Sequence, residues 1–343
     1  MAVNRHLFGN LLRRLASAVP ALFGVLAVTF VLMRVLPGDP ASLLASSPSA
    51  GPEEIAVIRH QLGLDRPIPE QFGLYLWNLA HGDLGRSTTT GQPVVQDLRE
   101  RLPASLELTF AALFVALVVA LPLGILAALR PDSLLDHAVR FLGTIGVAIP
   151  TFVAGLLLVY VFYYLLGWAP DPTGRIDIFI IPPDRVTGFL LIDSLLAGDL
   201  QAFWAALSQL VLPVATLALF VIAPLSRITR AAMLSVMQSD YVRAAESVGL
   251  SPAKIILAYG LRNALLPVLT IAGTIFSAML GSSVLVEKVF AWPGVATYSI
   301  NALMAGDFAA VQGFVLLMGT IYVLVNLLID LLYPIVDPRV SLA

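Results

Sequence analysis

Six long apolar stretches constrain this chain more than any other feature of its sequence. They occupy residues 15–33, 104–129, 141–166, 206–226, 264–286 and 309–332. The hydrocarbon core of a bilayer is about 30 Å thick, and roughly 20 apolar residues cross it as an α-helix. Since the backbone finds no water there, each stretch must satisfy its own hydrogen bonds by forming a helix. The sequence therefore predicts an all-α polytopic membrane protein with six transmembrane helices.

The composition excludes several other classes of protein. Only 12% of the 343 residues are charged, whereas soluble domains carry roughly 25%. The net charge of −2 gives no sign of nucleic-acid binding. The chain has no cysteine, which excludes disulfides, thiol catalysis and cysteine metal sites. The first apolar stretch is longer than the apolar core of a signal peptide, so we expect it to be a membrane span.

The basic residues of the short loops predict the orientation in the membrane. They cluster after the second and fourth stretches, as Arg130, Arg140, Arg227, Arg230, Arg243, Lys254 and Arg262. Short cytoplasmic loops carry an excess of Lys and Arg, so both termini are predicted to be cytoplasmic. The predicted organisation has three parts and two long loops: residues 1–34 (cytoplasmic segment and first helix), 35–103 (external, periplasmic), 104–343 (core with five helices), external insertion 168–205 and cytoplasmic loop 227–263.

A short, capped segment interrupts the apolar stretches at residues 241–260. Asp240 is predicted to cap a helix that begins at Tyr241, because its carboxylate can accept free backbone N–H groups. Gly249 is predicted to end this helix with a positive φ, a conformation that glycine adopts cheaply. Ser251 and Pro252 are typical of a second helix start, so a bend followed by a new helix is expected.

One face of the capped helix is small and apolar. Helical spacing groups Tyr241, Ala244, Ala245 and Val248 together. The two alanines would allow another surface to approach the backbone closely. From the residues alone, a contact with a partner protein and a helix that rests on lipid headgroups both remain open.

The sequence lacks the motifs of an enzyme that uses ATP or a catalytic metal. It contains neither a GxxxxGK[ST] phosphate loop nor an HExxH motif. We therefore expect no enzymatic activity and no cofactor, with any ATP bound by partner subunits. An ion-coupled secondary transporter is the main rival, but such proteins usually place ionisable groups at mid-membrane. Here Glu107, Glu287 and Asp330 lie near the ends of the stretches.

Two positions near the stretch ends each have two interpretations. Glu107 is either a hydrogen-bonded carboxylate at the membrane interface or part of a transport pathway. Trp292, Pro293 and Gly294 form either an external gate turn or an interfacial turn with the indole in the aromatic belt.

Several motifs in chain order resemble the dipeptide/oligopeptide/nickel permease family of ABC importers. They are LPGDP (36–40), GDLGRS (82–87), RLPASLELTF (101–110), LRNALLPVLT (261–270), VFAWPGV (289–295) and NLLIDLLYPIVDPRV (326–340). The capped segment resembles the cytoplasmic EAA loop of such permeases: Ala244, Ala245 and Gly249 match, and Arg243 stands where many members have Glu. The TGFLLID stretch (187–193) resembles the dipeptide-permease subunit most.

The resemblance implies a type I ABC-importer permease fold in the bacterial inner membrane. It implies a coupling helix that docks on a separate ATPase, carried over here to Tyr241, Arg243, Ala244, Ala245, Glu246, Gly249 and Leu250. It also implies a second homologous permease subunit, two ATPase subunits, an external substrate-binding protein and contact with lipid. The implied cargo is dipeptides or short oligopeptides, with nickel chelates, glutathione or another small solute as alternatives.

Overall fold

In the computed structural model, the described residues are 2–35, 51–61 and 63–336, and they are mainly helical. The LPGDP motif and the last residues of the C-terminal motif lie outside these ranges. Within them the helices are α1 Ala2–Val35, α2 Pro52–Gln61, α3 Ile68–Ala80, α4 Val94–Leu129, α5 Leu134–Ala148, α6 Thr151–Leu165, α7 Leu190–Leu196, α8 Leu200–Met237, α9 Asp240–Ser247, α10 Pro252–Ser282, α11 Val284–Val289, α12 Val295–Met304 and α13 Phe308–Val336. The described ranges contain no β-strand, only an isolated bridge between Arg86 and Pro93.

The apolar helices fall at the predicted stretches. Four are long and apolar enough to cross a membrane: Val94–Leu129, Leu200–Met237, Pro252–Ser282 and Phe308–Tyr333. Two shorter apolar helices, Val19–Val35 and Thr151–Leu165, lie at the first and third stretches. The prediction of an all-α, multi-span membrane fold is therefore confirmed.

Two predicted stretches differ in detail from the helices that form. The third was expected to be one helix, but α5 ends at Ala148 and α6 begins at Thr151. Pro150 causes the break, because it caps α6 with an extended ψ of 135° and disfavours the helical conformation before it. The fifth was expected to continue to residue 286, but α10 ends at Ser282 and a separate short helix follows.

The core forms where α4 and α8 pack along each other. The buried face of α4 is a ladder of small residues, Ala104, Ala112, Ala116 and Ala120. At Gly124 an added Cβ would lie 2.6 Å from the Cβ of Thr229, so the two backbones approach closely there. Small residues at helix interfaces allow this approach in membranes. The larger side chains of α4, such as Phe114, point outward.

The remaining helices pack around α4 and α8. Helices α5, α6, α7 and α10 pack against α8, and α13 packs against α1, α10 and α12. Aromatic contacts hold α3 on α1, with the ring centroids of Phe30 and Phe72 5.0 Å apart. The two ends of the bundle therefore differ: one carries α9, and the other carries α3, α7 and α12.

Candidate functional site

The segment between α8 and α10 folds as a short helix with a different N-cap from the one predicted. Ser239 is the N-cap residue, and its carbonyl accepts the N–H groups of Val242 and Arg243 at 3.1 and 3.2 Å. The prediction that Asp240 caps this helix is wrong, because Asp240 is already helical and the residue before it, Ser239, has the extended ψ of 154° that is typical of an N-cap. Asp240 is instead the first helical residue, where a carboxylate is still favoured by the helix dipole.

Helix α9 ends as the sequence predicts. Gly249 has a φ of +75°. Its N–H donates to the carbonyl of Glu246 at 2.9 Å, and the N–H of Leu250 donates to that of Ala245 at 3.3 Å. This pair of bonds is the Schellman motif, which satisfies the last carbonyls of a helix. Ser251 then caps the next helix and Pro252 lies in its first turn, so α10 begins at once.

The bend at Gly249 packs α9 against α10 and determines which face of α9 is exposed. Val242 and Ala245 are buried, and they pack with Ile255 of α10 and partly buried Leu250. The expectation that Ala245 belongs to an open contact face is therefore wrong: Ala245 contacts the chain itself. Helical spacing placed two adjacent alanines near one face, and only the bend at Gly249 determines which of them is covered.

The exposed side of α9 carries a narrow apolar strip. Tyr241, Ala244 and Val248 lie along it, each exposed. Arg243 and Glu246 are exposed too and flank the strip with charges of both signs. We call Tyr241, Ala244 and Val248 the α9 strip. Its small central residue and its aromatic end are suited to a close contact with another protein surface.

A buried ion pair fixes α5 against α8. Arg230 of α8 donates from Nε and Nη2 to the two carboxylate oxygens of Asp136, which is fully buried. The hydrogen bond from Arg230 holds the pKa of Asp136 below its usual value. Sequence reasoning missed this pair because 94 residues separate its members. The pair positions α5 beside the end of α8 that leads to α9.

At the other end of the bundle, Trp292 anchors a tight turn inside the protein. Its indole is 1% exposed, and Nε1 donates to the carbonyl of Ala104 at 2.8 Å. The interpretation of Trp292 as an aromatic-belt residue is therefore wrong, since the ring lies in the core rather than at a membrane interface. Of the three turn residues, Pro293 is the one exposed at the surface, between buried Trp292 and Gly294.

Glu287 is a fully buried carboxylate beneath this turn. Its Oε1 accepts the hydroxyl of Ser105 at 2.7 Å, and its Oε2 accepts the N–H of Thr297 at 2.7 Å. Burial raises the pKa of Glu287, although these hydrogen bonds oppose the shift. Gly294 lies so close that an added Cβ would be 2.1 Å from Glu287 Oε1. The carboxylate stabilises the first turn of α12, where free N–H groups favour negative charge.

Glu107 forms an ion pair and a hydrogen bond with other residues of the chain. It is 7% exposed, and its Oε2 accepts Arg175 Nη2 at 2.5 Å while its Oε1 accepts the N–H of Leu191 at 2.9 Å. Both partners belong to the insertion 168–205. This geometry agrees with the interpretation of Glu107 as a hydrogen-bonded carboxylate, and it ties the insertion to α4.

Another buried carboxylate, Asp307, was not recognised from the sequence and contacts the GDLGRS motif. Asp307 accepts the hydroxyl of Ser87 at 2.5 Å and the N–H of Thr89 at 3.1 Å. Its other oxygen accepts the N–H of Ala310 at the start of α13. Ser87 and Asp307 lie 220 residues apart in the chain but belong to one hydrogen-bonded unit. The signal in the sequence was an Asp directly before an apolar helix, which is typical of an N-cap.

Two protein families match the chain, each over a different part of it. Residues 7–109 match "Binding-prot-dependent transport system membrane comp, N-term", and residues 120–342 match "Binding-protein-dependent transport system inner membrane component". The chain is 44% identical to the probable D,D-dipeptide transport system permease protein DdpB of Escherichia coli (strain K12), over 97% of this chain and 98% of that protein. It is 41% identical to the di/tripeptide transport system permease protein DppB of Pseudomonas aeruginosa (strain UCBPP-PA14), over 96% of this chain and 97% of that one. It is 37% identical to the dipeptide transport system permease protein DppB of Escherichia coli (strain K12), over 96% and 98%.

Proposed function

The chain belongs to the family of inner-membrane components of binding-protein-dependent transport systems, and from this premise we propose that it is the permease subunit of an ATP-driven peptide importer. The observation that carries the proposal is the nearly full-length similarity to relatives named as dipeptide or di/tripeptide permeases. Dipeptides or short oligopeptides are the proposed cargo.

The family works with separate ATPase and substrate-binding proteins, and we propose the following assembly for this chain. A second, homologous permease subunit completes the pathway, two ATPase subunits bind and hydrolyse ATP, and a binding protein delivers the peptide outside. This chain then needs no nucleotide site of its own, in keeping with the lack of a phosphate loop in its sequence.

The proposed contact with an ATPase subunit is the α9 strip. Tyr241, Ala244 and Val248 would meet the ATPase, with Arg243 and Glu246 at the rim. Gly249 and Leu250 keep α9 folded against α10, and buried Ala245 supports it from below. The observation that supports this role is the exposed, rigidly capped helix, which can transmit movement of a partner to α8 and α10.

The proposed orientation places both termini and α9 in the cytoplasm. Helices α2, α3, α7 and α12 and the insertion 168–205 then lie outside, where the turn Trp292–Gly294 would form part of the external gate and Glu107 would hold the insertion on α4. The support for the orientation is the concentration of basic residues around α9 and between α4 and α6. The support for the gate is that Trp292 joins the turn to α4.

Uptake into vesicles tests the proposed function. The chain, its partner permease, the ATPase subunits and the binding protein are reconstituted in liposomes, and entry of radiolabelled dialanine is followed. We expect uptake to require ATP, to continue when a protonophore collapses the proton gradient, and to resist excess glutathione or a nickel chelate. Proton-driven uptake by this chain without ATPase subunits would support a secondary transporter. Strong competition by glutathione or nickel chelate would reassign the cargo.

A further inference from the structure

A cavity of about 380 Å³ lies between the end of α1, helix α3 and the start of α13. It is separate from the α9 strip and from the turn at Trp292. Arg34 contributes from α1, Tyr75 from α3, Arg86 from the GDLGRS motif and Gln312 from α13. Three helices distant in sequence therefore place polar side chains around one space.

Three hydrogen-bonding atoms at this cavity are buried without a partner among the described residues. They are Arg34 Nη1, Tyr75 OH and Gln312 Nε2. Gln312 is almost fully buried, at 6% exposure. Buried polar groups in proteins are nearly always paired, and each unpaired group calls for a specific explanation. All three atoms can donate a hydrogen bond, so the group that they lack is an acceptor.

Arg34 is held in place rather than free to move. Its Nε donates to Gln71 Oε1 at 2.8 Å, and its guanidinium carbon lies 3.5 Å from the ring centroid of Phe30. Gln71 in turn donates to the carbonyl of Arg66 at 2.8 Å. These contacts fix the guanidinium group and leave Nη1 as a donor in a defined position.

The charges around the cavity favour an anion. The other charged or titratable side chains that line it are engaged: Arg66 pairs with Glu70 at 3.0 Å, and His60 contacts Asp65 at 2.6 Å. Arg86 Nη2 donates to a backbone carbonyl. Among the described lining residues Asp83 is the sole carboxylate, and its Oδ1 accepts the N–H of Gly85. Arg34 itself forms no ion pair with a carboxylate among the described residues.

We propose that this cavity binds a phosphate group through Arg34, Tyr75 and Gln312. Donors that come from three separate helices suit a tetrahedral oxyanion, which accepts hydrogen bonds from several directions, and Arg is the preferred residue for phosphate recognition. The phosphate comes either from a phospholipid headgroup or from free solute. The lipid source fits the position of Arg34, because Val31 and Val35 beside it are exposed residues of the apolar helix Val19–Val35.

Binding to the assembled transporter tests this site and separates the two sources. The complex is purified in detergent, and native mass spectrometry measures retained phosphatidylglycerol. Equilibrium dialysis with radiolabelled inorganic phosphate measures the free anion on delipidated samples. We expect Arg34→Met to weaken binding of the true ligand at least tenfold and Tyr75→Phe about threefold or more. Arg185→Met is the matched control, since Arg185 is an exposed arginine outside this cavity that donates to backbone carbonyls, and binding should stay within about twofold.

Retention of phospholipid that Arg34→Met abolishes identifies the headgroup as the source, whereas binding of inorganic phosphate alone identifies the solute. If Arg34→Met fails to assemble, Tyr75→Phe decides the matter, because it removes one hydroxyl and keeps the ring on Phe30. The proposal is overturned if neither ligand binds the unaltered complex. It is also overturned if Tyr75→Phe binds as well as the unaltered chain.

Discussion

The hydroxyl of Ser105 donates a hydrogen bond to Glu287 Oε1 at 2.7 Å and joins α4 to α11 across 182 residues of sequence. Both side chains are fully buried. Ser105 Oγ also accepts the N–H of Val295 at 2.9 Å, so the two residues together close the first turn of α12. The turn at Trp292 is thereby attached to α4, which packs along α8 in the core.

This arrangement makes Gly294 intolerant of a side chain. In Gly294→Ala the new Cβ would lie 2.1 Å from Glu287 Oε1 and 2.4 Å from Ser105 Oγ, so the turn must shift. Overpacking of this kind costs about 1–3 kcal/mol. We expect a lower thermal denaturation temperature of the purified complex, together with reduced peptide uptake. Gly281→Ala on α10 is the control, because its Cβ would meet nothing within 4 Å. Equal stability of the two variants would contradict the close packing at Gly294.

The pair formed by Glu107 and Arg175 should behave as a buried ion pair. Arg175→Met leaves the carboxylate buried at 7% exposure with one N–H partner, and breaking such a pair costs about 3 kcal/mol. Replacing both residues, as Glu107→Gln with Arg175→Met, should cost less than the single change, because no uncompensated charge remains. Thermal denaturation of the four proteins of this cycle measures the coupling.

The exposed pair Arg66–Glu70 supplies the control for this cycle. Both side chains are about half exposed, at 47% and 53%, so Arg66→Met should change stability by less than about 1 kcal/mol. If Arg175→Met is as mild as Arg66→Met, Glu107 does not depend on its partner and the insertion is held by other contacts.

The sequence predicts the membrane helices well because lipid imposes one local rule on every span. Apolar stretches of sufficient length must form helices, so the positions of α4, α8, α10 and α13 follow directly. The helix end at Gly249 and the helix start at Ser251 and Pro252 depend on equally local signals, and both were predicted. The break at Pro150 was missed because apolar residues continue on both sides of it.

The long-range pairs could not be predicted from a single sequence. Nothing in the local pattern around Ser105 indicates that Glu287 is its partner, or that Asp307 binds Ser87. The same limit applies to Ala244 and Ala245. They are neighbouring alanines, so the sequence does not distinguish them. The packing of α9 on α10 covers only Ala245.

Cysteine labelling tests the proposed orientation, and the chain offers a clean background because it has no native cysteine. Thr89, Asp184 and Ser247 are exposed and suited to substitution. We expect Thr89→Cys and Asp184→Cys to react with an impermeant maleimide in spheroplasts. Ser247→Cys should react only after permeabilisation. The opposite pattern would place α9 outside and contradict the orientation drawn from the basic residues.

The bend after α9 should depend on the conformation of Gly249 rather than on space. No atom lies within 4 Å of the place that an added Cβ would take, but φ is +75°. Gly249→Val should therefore cost about 1–2 kcal/mol through backbone strain alone. Gly249→Asn is the matched control, because Asn tolerates this region better. We expect peptide-stimulated ATP hydrolysis to fall in the Val variant and to be largely kept in the Asn variant. Equal loss in both would show that the glycine serves another purpose.

Coupling through the α9 strip is the central claim, and the Ala244→Glu variant tests it most directly. Ala244 is exposed at the middle of the strip, so the change leaves the fold of the permease intact and places an unpaired charge in the proposed interface. Burying such a charge costs about 3 kcal/mol, which is on the order of a hundredfold in affinity. Ala244→Ser is the control, since it keeps a small side chain at the same position.

The decisive measurement is peptide-stimulated ATP hydrolysis by the reconstituted transporter, together with the amount of ATPase subunit that co-purifies with the permease. We predict that Ala244→Glu inserts normally and retains the partner permease, but loses the ATPase subunits and the stimulation. The Ala244→Ser variant should match the unaltered chain. Wild-type hydrolysis and ATPase association in Ala244→Glu would contradict the account, and α9 would then be a helix resting on lipid headgroups.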